Sequence, residues 1–208
     1  LEEVINGFSN YIVVADGTLA NTVLPQPQLV ELALAQGADG STVEDSHYVL
    51  GWGKFANPDD VDVRILLNGG ATSVAVQQEM KEIAEDRKDC IAILDIPYAQ
   101  TSSVASTVIW RTTTQNFNSS YCALYSPWVK TYDPYNSVIV TLPPSGFVGS
   151  QIAYNDYVAE TWYAPAGLNR GLLNVLSVTP VYTQGERDLL YVEGINPLQT
   201  FRGEGNVI

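Results

Sequence analysis

Basic residues are scarce in this 208-residue chain, and that shortage excludes one large class of function. Its 10 Lys and Arg stand against 23 Asp and Glu, which gives a formal net charge of −13. Binding of nucleic acid needs clustered Lys and Arg to neutralise phosphates, so we expect no direct contact with nucleic acid. The acidity instead favours solubility and charged contacts with basic partner surfaces.

Long apolar runs are missing as well. Runs such as Ile65-Leu66-Leu67 are far shorter than the roughly 20 residues that a membrane-spanning helix needs. The first residues, Leu1-Glu2-Glu3-Val4, have neither the basic start nor the apolar stretch of a secretory signal, and the absence of an initiator Met predicts a fragment. We therefore predict a soluble domain without membrane insertion.

Cysteine and histidine are too few for most metal and nucleophilic chemistry. Cys90 and Cys122 each begin an apolar run, which favours buried free thiols over a disulfide. His47 has no cysteine near it in the sequence, so neither a zinc site nor a histidine-based triad has recognisable partners. The residue types predict no metal, no cofactor and no catalytic residue.

From about residue 40, helical and strand patterns alternate along the chain, which is typical of an α/β layer with a parallel sheet. Capping boxes at Ser41/Glu44 and Thr183/Glu186 predict two helix starts, and Gly194 suits the position after the end of the second helix. The other predicted helices are 73–88, 101–116 and 147–160, and the predicted strands are 61–67, 91–96, 121–125, 137–142 and 175–178.

The helix 73–88 shows the clearest division into two faces. Its predicted buried positions are Val76, Met80, Ile83, Ala84 and Arg87, and its predicted solvated positions are Gln77, Gln78, Lys81, Glu82, Glu85 and Asp86. The run 91–96 is continuously apolar, which predicts a strand buried on both faces.

Two acidic residues follow predicted strands and are the candidates for catalysis. Asp95 ends the strand 91–96, and Asp133 comes after 121–125, so both carboxylates could meet at one edge of an open sheet. The alternative is that each sets a turn, since Asp95 precedes Ile96-Pro97 and Asp133 precedes Pro134. We favour the turn interpretation, in which replacement of both by Asn costs ~1 kcal/mol each.

Two further features have both a functional and a structural interpretation. Asn68-Gly69-Gly70, between a strand and a helix, could form a phosphate-binding nest, although a plain turn is the better explanation without a longer glycine motif. A cluster of aromatic residues could stack on a sugar or base. The cluster is Tyr121, Tyr125, Trp128, Tyr132 and Tyr135. Core packing explains some of these residues without a ligand. Trp128, together with Trp162 outside the cluster, could instead anchor loops against the sheet.

Five short phrases occur in a fixed order along the chain. They are the segment Leu34–Gly40, the segment Phe55–Val63, Pro143-Pro144-Ser145-Gly146, the segment Trp162–Gly167 and Gly194-Ile195-Asn196-Pro197. Together they resemble the contractile tail sheath family of phage tails, pyocins and related injection machines. One such phrase is weak, because Pro and Gly punctuate any loop, but five with family-like separations form a specific pattern.

The resemblance spans roughly residues 34–208 and implies an organisation of the chain. It implies an α/β core domain over 34–208, with an open, parallel-rich sheet and flanking helices, truncated before a C-terminal lattice-forming domain. Residues 1–33 lie outside it and are expected to add peripheral strands, with one at Tyr11–Ala15 before an Asp16-Gly17 turn. Residues 28–36 fit either a helix or an alternating strand, and the resemblance favours the strand.

The resemblance also implies a structural function rather than an enzymatic one. Sheath subunits polymerise around an inner tube and contract to drive it through a target envelope, so the implied partners are other sheath subunits, the tube and the baseplate. The implied location is the tail sheath of a virion, assembled in the host cytoplasm, and this fragment alone is expected to be monomeric. An α/β enzyme acting through Asp95 and Asp133, or a carbohydrate-binding module, is the rival interpretation.

Overall fold

A parallel sheet lies at the centre of the computed structural model, which describes residues 40–208. The strands are β1 (Ile65–Leu67), β2 (Ile91–Asp95), β3 (Cys122–Ser126), β4 (Trp128–Asp133), β5 (Val138–Leu142), β6 (Leu172–Leu173), β7 (Ser177–Thr179), β8 (Asn196–Pro197), β9 (Gln199–Phe201) and β10 (Gly205–Val207). The α-helices are α1 (Asp45–Trp52), α2 (Val74–Arg87), α3 (Val104–Ile109), α4 (Ser145–Val158), α5 (Gly167–Arg170) and α6 (Gln184–Val192).

The central sheet has the order β1-β2-β3-β8, and all of its strand pairs are parallel. Leu66 pairs with Ala92, which confirms that the predicted strands are neighbours, although the first covers only Ile65–Leu67 of the predicted 61–67. The α/β class is therefore confirmed, within a unit formed by Thr42–Ile208. The predicted strands before residue 37 lie outside the described residues, and the boundary at 33/34 stays a prediction.

Strand β2 is buried on both faces, as its continuous apolar run predicts. Ala92 and Leu94 belong to one cluster of buried residues, together with Val76 and Met80 of α2. Ile93, whose side chain points to the opposite face, belongs to a second cluster with Val148 of α4. Helices thus cover both faces of the sheet, the arrangement that parallel strands require.

Helix α2 agrees closely with the predicted 73–88 helix, and all five predicted buried positions are buried. Ser73 is its N-cap residue, and Lys88 ends it in the left-handed conformation with φ of 63°. The prediction for Gln77 is wrong. Its side chain is buried because its amide donates to the backbone carbonyl of Asp95 at 2.7 Å and accepts a hydrogen bond from Gln115.

The two predicted capping boxes have different outcomes. Thr183 and Glu186 form the predicted box at the start of α6, and Gly194, with φ of 72°, follows the helix end as predicted. The box at Ser41 is wrong, because α1 begins only at Asp45. Glu44 is its N-cap residue, and His47 Nδ1 accepts a hydrogen bond from the Glu44 backbone N–H at 3.0 Å.

The predicted helix 101–116 is divided into three parts. Tyr98–Ser102 is a 3₁₀ helix, α3 follows, and Trp110–Gln115 continues it as a π helix. Hydrogen bonds from threonine side chains contribute to this division of the helix. Thr112 and Thr113 donate to the carbonyls of Val108 and Ile109, four residues earlier. Such bonds compete with regular helix geometry.

Two antiparallel sheets complete the described residues, and the sequence predicts neither of them as sheets. One has the order β5-β4-β7 and contains β4, a strand missing from the prediction. The other has the order β6-β10-β9. Val129 of β4 is buried in the same cluster as Ile93, so the first of these sheets packs against the central core.

Candidate functional site: a buried carboxylate and exposed apolar surfaces

The carboxylate of Asp95 lies at the carboxyl end of β2, where open α/β sheets commonly bind ligands. Its Oδ1 accepts a hydrogen bond from the backbone N–H of Ser145 at 2.8 Å, and its Oδ2 accepts one from the Ser145 hydroxyl at 2.7 Å. The backbone N–H of Gly70 also donates to Oδ2, at 3.2 Å. The carboxylate thus connects the β1–α2 turn to the first turn of α4.

Burial dominates the electrostatics of this carboxylate. Desolvation raises the pKa of Asp95 from 3.8 to about 6, although the hydrogen bonds from Ser145 and Gly70 act in the opposite direction. The Asp95 side chain is fully buried, so no surface is open for a substrate to reach it. These contacts are those of a structural residue that fixes a turn and a helix start.

Asp133 does not share a site with Asp95. Trp128, at the start of β4, donates from its indole nitrogen to the carbonyl of Ile96 at 2.7 Å, so that end of the strand lies near Asp95. Asp133 is at the other end of β4, roughly 17 Å along the strand. Its carboxylate accepts hydrogen bonds from Tyr135 and Asn136 of its own turn. The geometry that paired carboxylates would need is absent from the described residues.

The Asn68-Gly69-Gly70 segment is a turn in which the backbone N–H groups of Asn68 and Gly70 are already bonded within the protein. Gly69 and Gly70 have φ of 57° and 88°, which explains why both are glycine. The N–H of Gly70 donates to Asp95, and the N–H of Ala71 donates to the carbonyl of Asn68 at 3.0 Å. The protein's own carboxylate therefore occupies the position that a phosphate oxygen would take.

The remaining candidates for metal or thiol chemistry are separate from one another. His47 is exposed on α1, where it caps the helix. Cys90 is buried and Cys122 partly buried, and both are free, as predicted. Burial raises the pKa of the Cys122 thiol to about 11, so it is neutral at physiological pH. Within residues 40–208, no cluster of His, Cys, Asp and Glu could hold a metal ion.

The two tryptophans predicted to anchor loops behave differently. The ring of Trp128 packs edge-on against Tyr98 at 5.2 Å between centroids, and its indole hydrogen bond fixes the segment after β2. Trp162 is 75% exposed, so the prediction that it anchors a loop against the sheet is wrong. A large exposed aromatic side chain suits contact with another molecule.

The hairpin of β4 and β5 presents an apolar outer face. Tyr132 pairs directly with Ile139, and the two side chains are 51% and 63% exposed. Tyr135, in the turn between the strands, is 93% exposed. Among residues 40–208, β5 pairs only with β4, so within this part of the chain the hairpin has both the exposed side chains and the backbone edge of an interaction surface.

Helices α4 and α6 carry further exposed apolar side chains. Those of the α4 end and the segment after it are Tyr154, Tyr157, Val158, Trp162 and Tyr163, and those of α6 are Leu189, Tyr191 and Val192. The sequence does not reveal these surfaces, because an apolar residue on a helix is normally assigned to the core. Residues 40–208 contain no helix with the length and apolarity needed to cross a membrane.

The profile of the phage tail sheath protein central domain matches residues 41–208. The tail sheath protein of Enterobacteria phage T4 is 30% identical over 222 aligned residues, which cover 97% of this chain and 31% of that protein. The tail sheath protein of Vibrio phage KVP40 is 26% identical over 197 residues, 83% of this chain and 29% of that protein. The chain thus spans about a third of the length of these relatives.

Solved structures support the fold. A chain of the baseplate of the anti-feeding prophage matches with a TM-score of 0.55 and 19% identity, covering 84% of this chain and 51% of that chain. A chain of the helical sheath of the same particle in its contracted state matches with a TM-score of 0.56 and 22% identity, covering 74% and 41%. At these identities the likeness shows a shared fold.

Proposed function

This chain belongs to the phage tail sheath family, with the family's central domain over residues 41–208, and from that premise we propose that it is part of the structural subunit of a contractile tail sheath. The subunit polymerises around an inner tube, contacts the baseplate and contracts to drive the tube through a target cell envelope. It resides in the tail of a virion or a phage-like particle and is assembled in the host cytoplasm. The 30% identity with the T4 tail sheath protein carries this proposal.

The physical character of the domain supports a mechanical rather than a catalytic role. The sheet is packed on both faces, and its one buried carboxylate is engaged by Ser145 and Gly70. A sheath subunit needs a rigid block whose contacts with neighbours can be exchanged between two lattice arrangements. The energy for contraction then resides in the interfaces, so the subunit needs neither a cofactor nor hydrolysis.

The β4–β5 hairpin is the surface that we assign to contacts between subunits. Tyr132 and Ile139 form an exposed apolar pair in an otherwise strongly acidic protein, so a neighbour can bury them without opposing charges. Lys130, which precedes Tyr132 on the same face of β4, adds a basic group that can meet an acidic neighbour.

The test uses the full-length protein that contains this domain, expressed alone and imaged by negative-stain electron microscopy. We expect regular tubes from the unchanged protein and loss of tubes from Tyr132→Ser combined with Ile139→Ser. Ile109→Ser is the control, since Ile109 is 61% exposed but lies on α3. Dispersed particles from the unchanged protein would contradict the sheath function, whereas tubes from the double variant would contradict only the assignment of the hairpin.

A further inference from the structure

Arg111 lies partly buried in the π-helical segment that continues α3, where it lines a cavity of about 210 Å³. Leu94 and Leu124 of the central sheet form an apolar floor, and Phe117 forms part of the wall. Gln115, Asn118 and Ser119 add polar groups. The cavity therefore combines a few apolar side chains with a guanidinium group and other polar side chains.

The guanidinium N–H groups that do not bond to Phe117 are not buried, so they can take a partner from solution. Among the described residues the Arg111 guanidinium makes one hydrogen bond, from Nη2 to the backbone carbonyl of Phe117 at 2.6 Å. The ion pairs within residues 40–208 involve Arg64, Lys81 and Arg87, and none involves Arg111. Partial burial still disfavours the charge of a cation, so an anion beside this one would be stabilising.

The electrostatics show the effect of this partial burial on Arg111. Desolvation lowers the pKa of Arg111 from its ordinary value, and Glu193 acts in the opposite direction only through a longer-range charge interaction. A bound anion would offset this effect, because it would accept hydrogen bonds from the free N–H groups of the guanidinium fork.

The dimensions and the lining restrict the kind of anion. Drug-sized and cofactor ligands occupy pockets of about 300–1,000 Å³, and this cavity is smaller at about 210 Å³. The planar guanidinium fork matches a carboxylate in a bidentate arrangement. The buried leucines, Leu94 and Leu124, suit a short hydrocarbon body behind that carboxylate.

We propose that the Arg111 cavity is a binding site for a carboxylate group attached to a short apolar body. Arg111 binds the two carboxylate oxygens, and the apolar body lies against Leu94, Leu124 and Phe117. Such a group can belong to a free organic acid or to an acidic side chain of a second copy of this chain. The proposal rests on the cavity alone and does not depend on the sheath function.

The test is a titration of the 208-residue protein with butyrate at pH 7 and constant ionic strength. The Arg111 Nε–Hε signal is followed by ¹H–¹⁵N NMR and assigned by its loss in Arg111→Gln. We expect a saturable shift with a dissociation constant on the order of 1 mM, and no such shift with the neutral analogue butyramide. Acetate should bind more weakly than butyrate, since it leaves the apolar floor uncovered.

Two variants separate specific binding from a general salt effect. Arg111→Gln, followed through the backbone signals of Phe117 and Leu124, should weaken butyrate binding at least about tenfold. Arg187→Gln is the matched control, because Arg187 also donates to a backbone carbonyl, that of Tyr182 at 2.8 Å, without lining this cavity. If Arg111→Gln does not fold, the comparison of butyrate with butyramide on the unchanged protein decides the question.

Equal shifts with butyramide, or equal affinity in Arg111→Gln, would overturn the proposal. The source of the natural carboxylate is a separate question, answered by sedimentation over a concentration series. Self-association that both butyrate and Arg111→Gln abolish would identify an acidic side chain of a second copy. Unchanged sedimentation together with butyrate binding would identify a free acid.

Discussion

The carboxylate of Asp95 accepts two hydrogen bonds from one residue, Ser145, through its backbone N–H at 2.8 Å and its hydroxyl at 2.7 Å. Fifty positions separate the two residues in the sequence. Ser145 belongs to the Pro143-Pro144-Ser145-Gly146 phrase, one of the five phrases by which the sequence resembles the sheath family. The structure thus gives that phrase a role: it presents the first turn of α4 to a carboxylate at the end of β2.

Replacement of Asp95 by Asn should change how stability depends on pH. The folded pKa of about 6 lies above the ordinary 3.8, so the stabilising contribution of this group is complete below pH 3.8 and is lost as the pH rises through 6. The loss between pH 4 and pH 7.5 is on the order of 3 kcal/mol. Since Asp95→Asn carries no charge, urea unfolding at pH 4 and pH 7.5 should show that the variant lacks this loss. The amide nitrogen of Asn faces the N–H of Ser145 or Gly70 and adds a penalty that is the same at both pH values.

Asp133→Asn is the control for that measurement, because the pH dependence of stability that it removes has the opposite sign. The hydrogen bond from Asn136 lowers the pKa of Asp133, so its contribution is present at neutral pH and is lost as the pH falls. An equal dependence of stability on pH in Asp95→Asn and in the unchanged protein would show that the hydrogen bonds from Ser145 and Gly70 offset the desolvation of the carboxylate.

Gln77→Leu should destabilise the protein by roughly 2–4 kcal/mol, because it leaves the carbonyl of Asp95 and the amide of Gln115 buried without their partner. Gln78→Leu, one position along the same helix, removes only a hydrogen bond to Glu82 at the surface and should stay within about 0.5 kcal/mol of the unchanged protein. Chemical unfolding of both variants measures the difference. Equal effects would mean that the buried amide network contributes nothing specific.

Gln77 also shows where inference from the sequence reaches its limit. Strand β2 and helix α2 are predictable, since a continuous apolar run and a helical repeat are local patterns. The burial of Gln77 depends on Asp95 and Gln115, which lie 18 and 38 positions away. No local pattern contains that information.

The exposed face of the β4–β5 hairpin was unpredictable for a related reason. In the sequence, Tyr132 belongs to a cluster of aromatic residues, and core packing is the interpretation that the sequence favours for some of them. Only the pairing of Tyr132 with Ile139, together with the burial of the opposite face through Val129, shows which side faces solvent. Register depends on turn geometry and on packing against other elements, which the sequence pattern left open.

Gly171→Ala should destabilise the protein by more than 1 kcal/mol. A β-carbon at this position would lie 2.7 Å from the Cα of Ala166, a backbone atom that cannot rotate away. The Gly171 amide also donates to the carbonyl of Gly167 at 2.7 Å, so the chain turns tightly between these two residues. Thermal unfolding measures the loss.

Gly146→Ala provides the matched comparison. A β-carbon at Gly146 meets no atom within 4 Å, and the residue is helical. The substitution should therefore stabilise α4 by roughly 0.5–1 kcal/mol through the reduced entropy of the unfolded chain. Equal effects of the two substitutions would show that the backbone around Gly171 can relax, in contradiction to the predicted clash.

The last prediction concerns the isolated 208-residue chain, which we expect to be monomeric. Its net charge of −13 makes copies repel one another at low ionic strength. It also spans only 31% of the length of the T4 tail sheath protein, so most of the surface of such a subunit lies outside it. Sedimentation velocity over a concentration series, at 50 mM and 500 mM salt, should give one monomeric species under both conditions. Higher salt shortens the distance over which the copies repel one another, but it supplies no specific contact between them. A ring or filament formed by this chain would instead show that surfaces such as the Tyr132–Ile139 face suffice for assembly.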